Sequence, residues 1–280
     1  MVKFLTPVVC AIAWMFLRRH RRVAAESLAV AYGEEMSAKE RGALVRRNFF
    51  NLGHCAIDMV YFSYHGKMLP EKVRFSGLKH IDEALKKKKG VIALTAHFGS
   101  FPLMLRRFAA EGYKVNIVLR NMRDAKLDEH LVNWMRNMHI RPIFAQPRLK
   151  CVNSVLRALR NNELVFILLD QNFGGDGRIF VDFFGTPAAT AAGPFVFSQR
   201  SGAPVIPVFN RRVKDDLYEI MVEPPMTLEQ GGTSEETLFF NVEKATKLIE
   251  GYIRRYPWEW GWMHRRWKTR PENEVTNKEG

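Results

Sequence analysis

A histidine, an arginine and an aspartate, each set directly after a run of apolar residues, are the side chains of this sequence best placed to do chemistry. His97 follows Val91 to Ala96, Arg120 follows Val115 to Leu119, and Asp170 follows Leu164 to Leu169. An imidazole can accept a proton from a hydroxyl near neutral pH, which makes His97 a candidate general base. Asp170 could orient that imidazole or hold a substrate hydroxyl. Arg120, with Arg123 three residues on, could grip a phosphate through its guanidinium fork. Each also has a plainer role: a hydrogen-bonded loop histidine, two solvated arginines, an aspartate capping a loop. The last is the weakest of these, because six apolar residues in a row are a poor lead-in to a simple cap.

Stepping from these residues to the elements that must hold them, Val91–Ala96 follows a glycine and is too short for a helix, so it reads as a buried strand. Gly99 allows a tight turn with close backbone approach. Ser100 suits a helix N-cap, and Pro102 is tolerated in a first turn. Leu103, Leu105, Phe108 and Ala109 continue as an amphipathic helix to Gly112. Further strands are expected at residues 75–78, 115–119, 143–145, 164–169 and 205–209, with an extended segment at 180–184. Helices are expected at 80–89, 127–138, 152–160, 193–201 and 241–256. Residues 218–222 read as an antiparallel strand, because Lys214-Asp-Asp216 leaves only a hairpin's length of chain. Alternation of this kind predicts an α/β fold, with a mostly parallel central sheet flanked by helices. His97, Arg120 and Asp170 then share one rim of that sheet, where open α/β folds bind their ligands.

The chain has 280 residues, 47% of them hydrophobic, and a formal net charge of +14. That is enough to bury a real core, and it excludes a disordered chain. The charge points to an anionic partner: a membrane surface, a phosphorylated ligand or nucleic acid. Three cysteines, Cys10, Cys55 and Cys151, give neither a disulfide framework nor a metal pair, which suits a reducing compartment. The histidines other than His97, His264 among them, show no metal-ligand spacing. No phosphate-binding loop, dinucleotide fingerprint, nucleophile elbow or zinc-protease motif occurs.

The apolar run from Phe4 to Leu17 is short of the roughly 20 residues of a spanning helix. The basic cluster Arg18-Arg-His-Arg-Arg22 follows it rather than precedes it, against the order of a signal peptide. We read residues 1–35 as a membrane-associated N-terminal helix, anchored by cations facing anionic headgroups. The other reading is a core helix with a solvated basic end. Residues 36–272 form the α/β domain, opened by the capping box Ser37-Ala-Lys-Glu40, and 273–280 form a polar tail. Near the end, Trp258-Glu-Trp-Gly-Trp-Met-His-Arg-Arg-Trp-Lys-Thr-Arg-Pro271 mixes tryptophans with cations. This suits either base stacking or a membrane-interface belt.

Taken in order, a strand ending in His-x-Gly, then Asp-Gln, Phe-Val-x-Phe-Phe-Gly-x-Pro-Ala-x-Thr, Ser-Gly-Ala-Pro-Val-Ile-Pro and Trp-x-Trp-x-His-Arg-Arg-Trp-Lys-Thr-Arg-Pro closely resembles the bacterial lipid A late acyltransferases. These belong to the lysophospholipid acyltransferase superfamily, and the resemblance spans residues 20–272. It implies an α/β core on the cytoplasmic face of the inner membrane, with no metal and no organic cofactor. It also implies transfer of a fatty acyl group, from acyl carrier protein or CoA, to a hydroxyl of a lipid A precursor or related lipid. His97 would be the base. Backbone N–H groups near Gly99, or Arg120, would hold the oxyanion. Arg120, Arg123, Arg266 and Lys268 would meet phosphates of lipid or carrier. One departure stands out: the family motif is histidine, four residues, then an acid, and here that place holds Pro102. Asp170 is the expected substitute, and a non-catalytic lipid-binding protein is the rival reading. A nucleic-acid binder ranks last, for want of any recognition motif.

Overall fold

The computed structural model describes residues 2–121, 124–230 and 232–271. In chain order the elements are α1 (Val2–Phe16), α2 (Arg18–Tyr32), α3 (Ala38–Tyr64), α4 (Leu69–Lys72), β1 (Val73–Ser76), α5 (Lys79–Lys86), β2 (Val91–Thr95) and α6 (Phe101–Ala110). There follow β3 (Val115–Leu119), α7 (Ala125–Asn137), β4 (Ile140–Phe144), α8 (Arg148–Arg160) and β5 (Leu164–Leu168). The chain then forms β6 (Arg178–Phe183), β7 (Thr186–Ala191), α9 (Gly193–Ser201), β8 (Val205–Lys214), β9 (Leu217–Val222) and α10 (Ser234–Arg255). Seven strands make one sheet in the order β1-β9-β8-β2-β5-β3-β4. The run from β8 to β4 is parallel, β9 turns back antiparallel on β8, and β1 lies parallel to β9. The mostly parallel sheet and the β8–β9 hairpin are as the sequence predicts.

Both faces of the sheet are covered, which is why its central strands are apolar throughout. Ile92 and Leu94 of β2 face a core shared with α2, α8, α9 and α10, built from Leu28, Val155, Phe195 and Ile249. Val91 and Ala93 face the other core, shared with α5, α6 and α3 through Ile81, Phe108 and Phe62. Helix α3 starts at the expected capping box, with the Ser37 hydroxyl accepting from the Glu40 N–H and the Glu40 carboxylate accepting from Ser37. Residues 186–191 form a strand that the sequence reading passed over. Phe184 and Gly185 both adopt positive φ, 55° and 72°, the two-residue turn that folds β7 antiparallel onto β6.

The N-terminal segment divides into two helices with different settings. Helix α2 is part of the body: Ala24, Leu28, Ala31 and Tyr32 are buried in the first core. Helix α1 lies on α3, with Cys10 buried over Gly53 and the Trp14 ring edge-on to Phe49 at 5.3 Å. Its other side is bare and apolar, carrying Val8, Val9, Ile12, Met15 and Phe16, the last 77% exposed. Among the described residues, no helix is long and apolar enough to cross a membrane. The polar tail expected at 273–280 lies outside the described residues.

Candidate active site

The strand order brings β2, β5 and β3 side by side, so the residues past their carboxyl ends are neighbours. His97 and Asp170 meet there: His97 Nδ1 lies 2.9 Å from Asp170 Oδ1. The other carboxylate oxygen accepts from the His97 backbone N–H at 2.9 Å and from the Trp260 indole N–H at 2.7 Å. Burial of Asp170 would raise its pKa. The charge of His97 and these hydrogen bonds outweigh that cost and hold the carboxyl down to about 2. An ionised Asp170 fixes the His97 proton on Nδ1 and turns the Nε2 lone pair toward the rim. The imidazole side chain is 26% exposed.

Pro102, in the first turn of α6, occupies the position where the family motif carries its acid. The carboxylate that orients the imidazole comes instead from the neighbouring strand. Gly99 sits where no side chain fits: its φ is +57°, and a Cβ would come within 2.0 Å of the Asn210 carbonyl oxygen. The backbone N–H groups at and just before Gly99, where an oxyanion was expected to be held, are engaged inside the resting structure. Phe98 donates to Ala96 O, Gly99 to Glu259 O and Ser100 to Asn210 Oδ1. With His97 N–H on Asp170, each of the four donors already has an acceptor within the protein.

Arg120 stands exposed at the end of β3 and donates from Nη2 to the Asn172 carbonyl at 3.0 Å, which puts it on the same rim. Arg123 lies outside the described residues. Lys268 is exposed. Arg266, expected to meet a phosphate, is fully buried. Its guanidinium donates to the carbonyls of Gln171 and Ala189 and to the Thr190 hydroxyl, so it braces the chain behind the site. Burial lowers its pKa to about 10, with Asp170 acting the other way. The tryptophan-rich segment is corrected in the same sense. Trp260 and Trp262 are core residues rather than a stacking or interface surface, and the segment pairs with the His97 loop through Gly261 N–H to His97 O at 2.9 Å.

Two side chains that spacing alone did not single out complete the site. The Gln171 amide nitrogen lies 2.8 Å from His97 Nε2 and 2.9 Å from His264 Nε2. The two imidazoles stand edge to face with centroids 5.0 Å apart. Burial lowers the pKa of His264 and nearby His97 lowers it further, with Asp170 acting the other way. Nothing in the spacing of residues 97, 171 and 264 announces this; only the adjacency of β2 and β5 and the return of the C-terminal segment create it. Among the described residues, no group of three or more His, Cys, Asp or Glu could hold a metal ion.

A carboxylate-oriented imidazole on the carboxyl rim of an α/β sheet is an arrangement able to serve as a general base toward a hydroxyl or water. The comparisons narrow this chemistry. Residues 2–269 match the model of the bacterial lipid A biosynthesis acyltransferases, and the chain belongs to that family. The lipid A biosynthesis lauroyltransferase of Escherichia coli is 26% identical over 93% of this chain and 83% of its own length. The palmitoleoyltransferase of the same organism is 27% identical, covering 96% and 87%, and its myristoyltransferase 25%, covering 98% and 84%. Among solved structures, the 1-acyl-sn-glycerophosphate acyltransferase PlsC of Thermotoga maritima superposes with a TM-score of 0.41 at 13% identity, covering 91% of this chain and 99% of its own. The protein is an acyltransferase.

Proposed function

We propose that this chain moves a fatty acyl group from a thioester of acyl carrier protein or CoA to a hydroxyl of a lipid A precursor or related lipid. The carrying observation is the His97–Asp170 pair on the sheet rim of a chain in this family. His97 Nε2 takes the proton of the acceptor hydroxyl as its oxygen attacks the thioester carbonyl. Asp170 holds the ring in the right tautomer and steadies the imidazolium that forms. As the tetrahedral intermediate collapses, the C–S bond breaks and the leaving thiolate takes the proton from His97 Nε2. Arg120, Arg123 and Lys268 supply cations for the phosphates of lipid or carrier. Gly99 and Arg266 act by shaping and bracing this site. The bare apolar side of α1, followed by Arg18 to Arg22, supports docking on the anionic cytoplasmic face of the inner membrane.

The test is transfer by purified protein, with acyl-carrier-protein and acyl-CoA thioesters offered against lipid A precursors and lysolipids. His97→Ala is expected to lose roughly 100- to 10,000-fold in kcat, the range for a lost general base. Asp170→Asn is expected to fall within the same range of roughly 100- to 10,000-fold, because the ring loses its orienting acceptor. Full activity in His97→Ala removes it from the mechanism. Wild-type protein that binds lipid yet transfers from no donor favours the lipid-binding reading.

A further inference from the structure

We propose that Gln171 is a catalytic residue of this acyl transfer and the donor that holds its oxyanion, with His264 as the residue that positions it. The inference rests on the proposed role of His97 as base. In the resting structure the Gln171 amide nitrogen lies against the His97 ring, 2.8 Å from Nε2 and 3.2 Å from Nδ1, beside the place an acceptor hydroxyl must take at Nε2. A primary amide has two N–H donors. One faces the His97 ring and the other the His264 ring, whose Nε2 lies 2.9 Å and Nδ1 3.4 Å from the amide nitrogen. When a hydroxyl takes over the His97 lone pair, one N–H is released while the other keeps the amide anchored beside the attacking oxygen.

A donor is needed there. Attack pushes the carbonyl π electrons onto oxygen, and stabilising that charge is commonly the largest catalytic contribution. The backbone N–H groups of residues 97–100 are each engaged inside the protein. Gln171 follows Asp170 directly, and its own carbonyl is gripped by buried Arg266 at 3.2 Å, so the backbone that carries the amide is fixed. The His264 carbonyl accepts from the Ser27 hydroxyl of α2 at 3.1 Å, which ties the anchoring ring to the body. The proton balance is unchanged: the hydroxyl proton goes to His97 and then to the leaving thiolate, and Gln171 gives up none.

The test is a kcat and KM comparison on the donor and acceptor pair that wild type turns over, using Gln171→Ala, the similarly long Gln171→Met, His264→Ala and the double variant Gln171→Ala/His264→Ala. Both Gln171 variants are expected to lose roughly 100- to 1,000-fold in kcat, with KM for the acceptor changed far less. His264→Ala is expected to lose about tenfold, and to cost nothing further in the Gln171→Ala background, since an anchor has no role without the group it anchors. Far-UV circular dichroism and melting temperature are compared across the set. Folded Gln171 variants with wild-type or raised kcat overturn the proposal, because the amide would then only obstruct the base. Additive losses at 171 and 264 overturn the anchoring role. Inactive His97→Ala beside active Gln171→Ala sinks this inference alone, whereas active His97→Ala sinks the reading beneath it.

Discussion

Two buried carboxyls behind the His97 loop titrate in opposite directions. Asp170 accepts hydrogen bonds from the His97 ring, the His97 N–H and the Trp260 indole, and its pairing with His97 holds it down to about 2. Glu259 is fully enclosed; it accepts from the Asn51 amide at 2.8 Å, from the Arg212 N–H at 3.2 Å and from the Trp258 side chain, yet burial wins and pushes it up to about 7. A carboxyl raised above its unfolded value of 4.5 stabilises the fold most when protonated, below pH 4.5, and that contribution is lost as pH rises through about 7. The loss is about 3 kcal/mol for this group. Glu259→Gln, which cannot ionise, is expected to flatten the fall in urea midpoint between about pH 5 and about pH 8. A variant whose midpoint falls as steeply as wild type would remove Glu259 as the cause. For Asp170 the sign reverses: its contribution is present above pH 3.8 and fades as pH falls through about 2. At this scale the sequence was half legible. His97 and Asp170 could be read because each ends an apolar run. Gln171, His264 and Glu259 could not, because their partners lie up to 237 residues away along the chain.

At the scale of elements, local rules did most of the work. Ser37-x-x-Glu40 marks the start of α3, and Gly202, left-handed at φ 69°, marks the end of α9. Period and breakers also gave β2, β3 and β5 to within a residue or two. What they could not give is the strand order: a run such as Val91–Thr95 or Leu164–Leu168 is apolar on both faces and names no neighbour. Strand β7 escaped notice because Pro187 and its alanines carry little strand propensity, and the turn before it is Phe-Gly rather than Asn-Gly. The joint between β2 and α6 is the element most sensitive to a single atom. Gly99→Ala would put a methyl within 2.0 Å of backbone at Asn210, in a conformation that alanine also disfavours. Because the clash is with main chain, it cannot be relieved by a rotamer change. Loss of about 2–4 kcal/mol in urea unfolding is expected, with transfer activity lost even where the variant folds. Wild-type stability and activity would show that the loop can move freely, and that its many backbone bonds do not set the site.

The whole molecule connects its bare apolar side to its site through a single helix. Helix α1 rests on α3, and Asn48 of α3 donates to the carbonyls of Trp258 and Trp260 at 2.9 and 2.6 Å. Trp260 in turn holds Asp170. The helix that α1 rests on is therefore joined to the dyad through hydrogen bonds. Ile12, Met15 and Phe16 are 51%, 62% and 77% exposed, a poor arrangement for a helix that meets only water. Each such side chain gains about 1.5–3 kcal/mol when taken out of water. Arg18, Arg19 and Arg22 are exposed beside them and add about 1 kcal/mol each near an anionic surface. Binding to phosphatidylglycerol-rich vesicles is accordingly expected to exceed binding to neutral vesicles, and the difference to shrink with added salt. The double variant Ile12→Asp/Phe16→Glu is expected to weaken vesicle binding by at least about a hundredfold, since two apolar contacts are lost and two like charges face the lipid. Transfer from a water-soluble thioester to a detergent-dispersed acceptor should survive in that variant, because the dyad is untouched. Vesicle binding that stays at the wild-type level would place the lipid contact elsewhere. Unchanged binding together with a shift from dimer to monomer in the variant would assign the apolar side of α1 to a second copy of the chain.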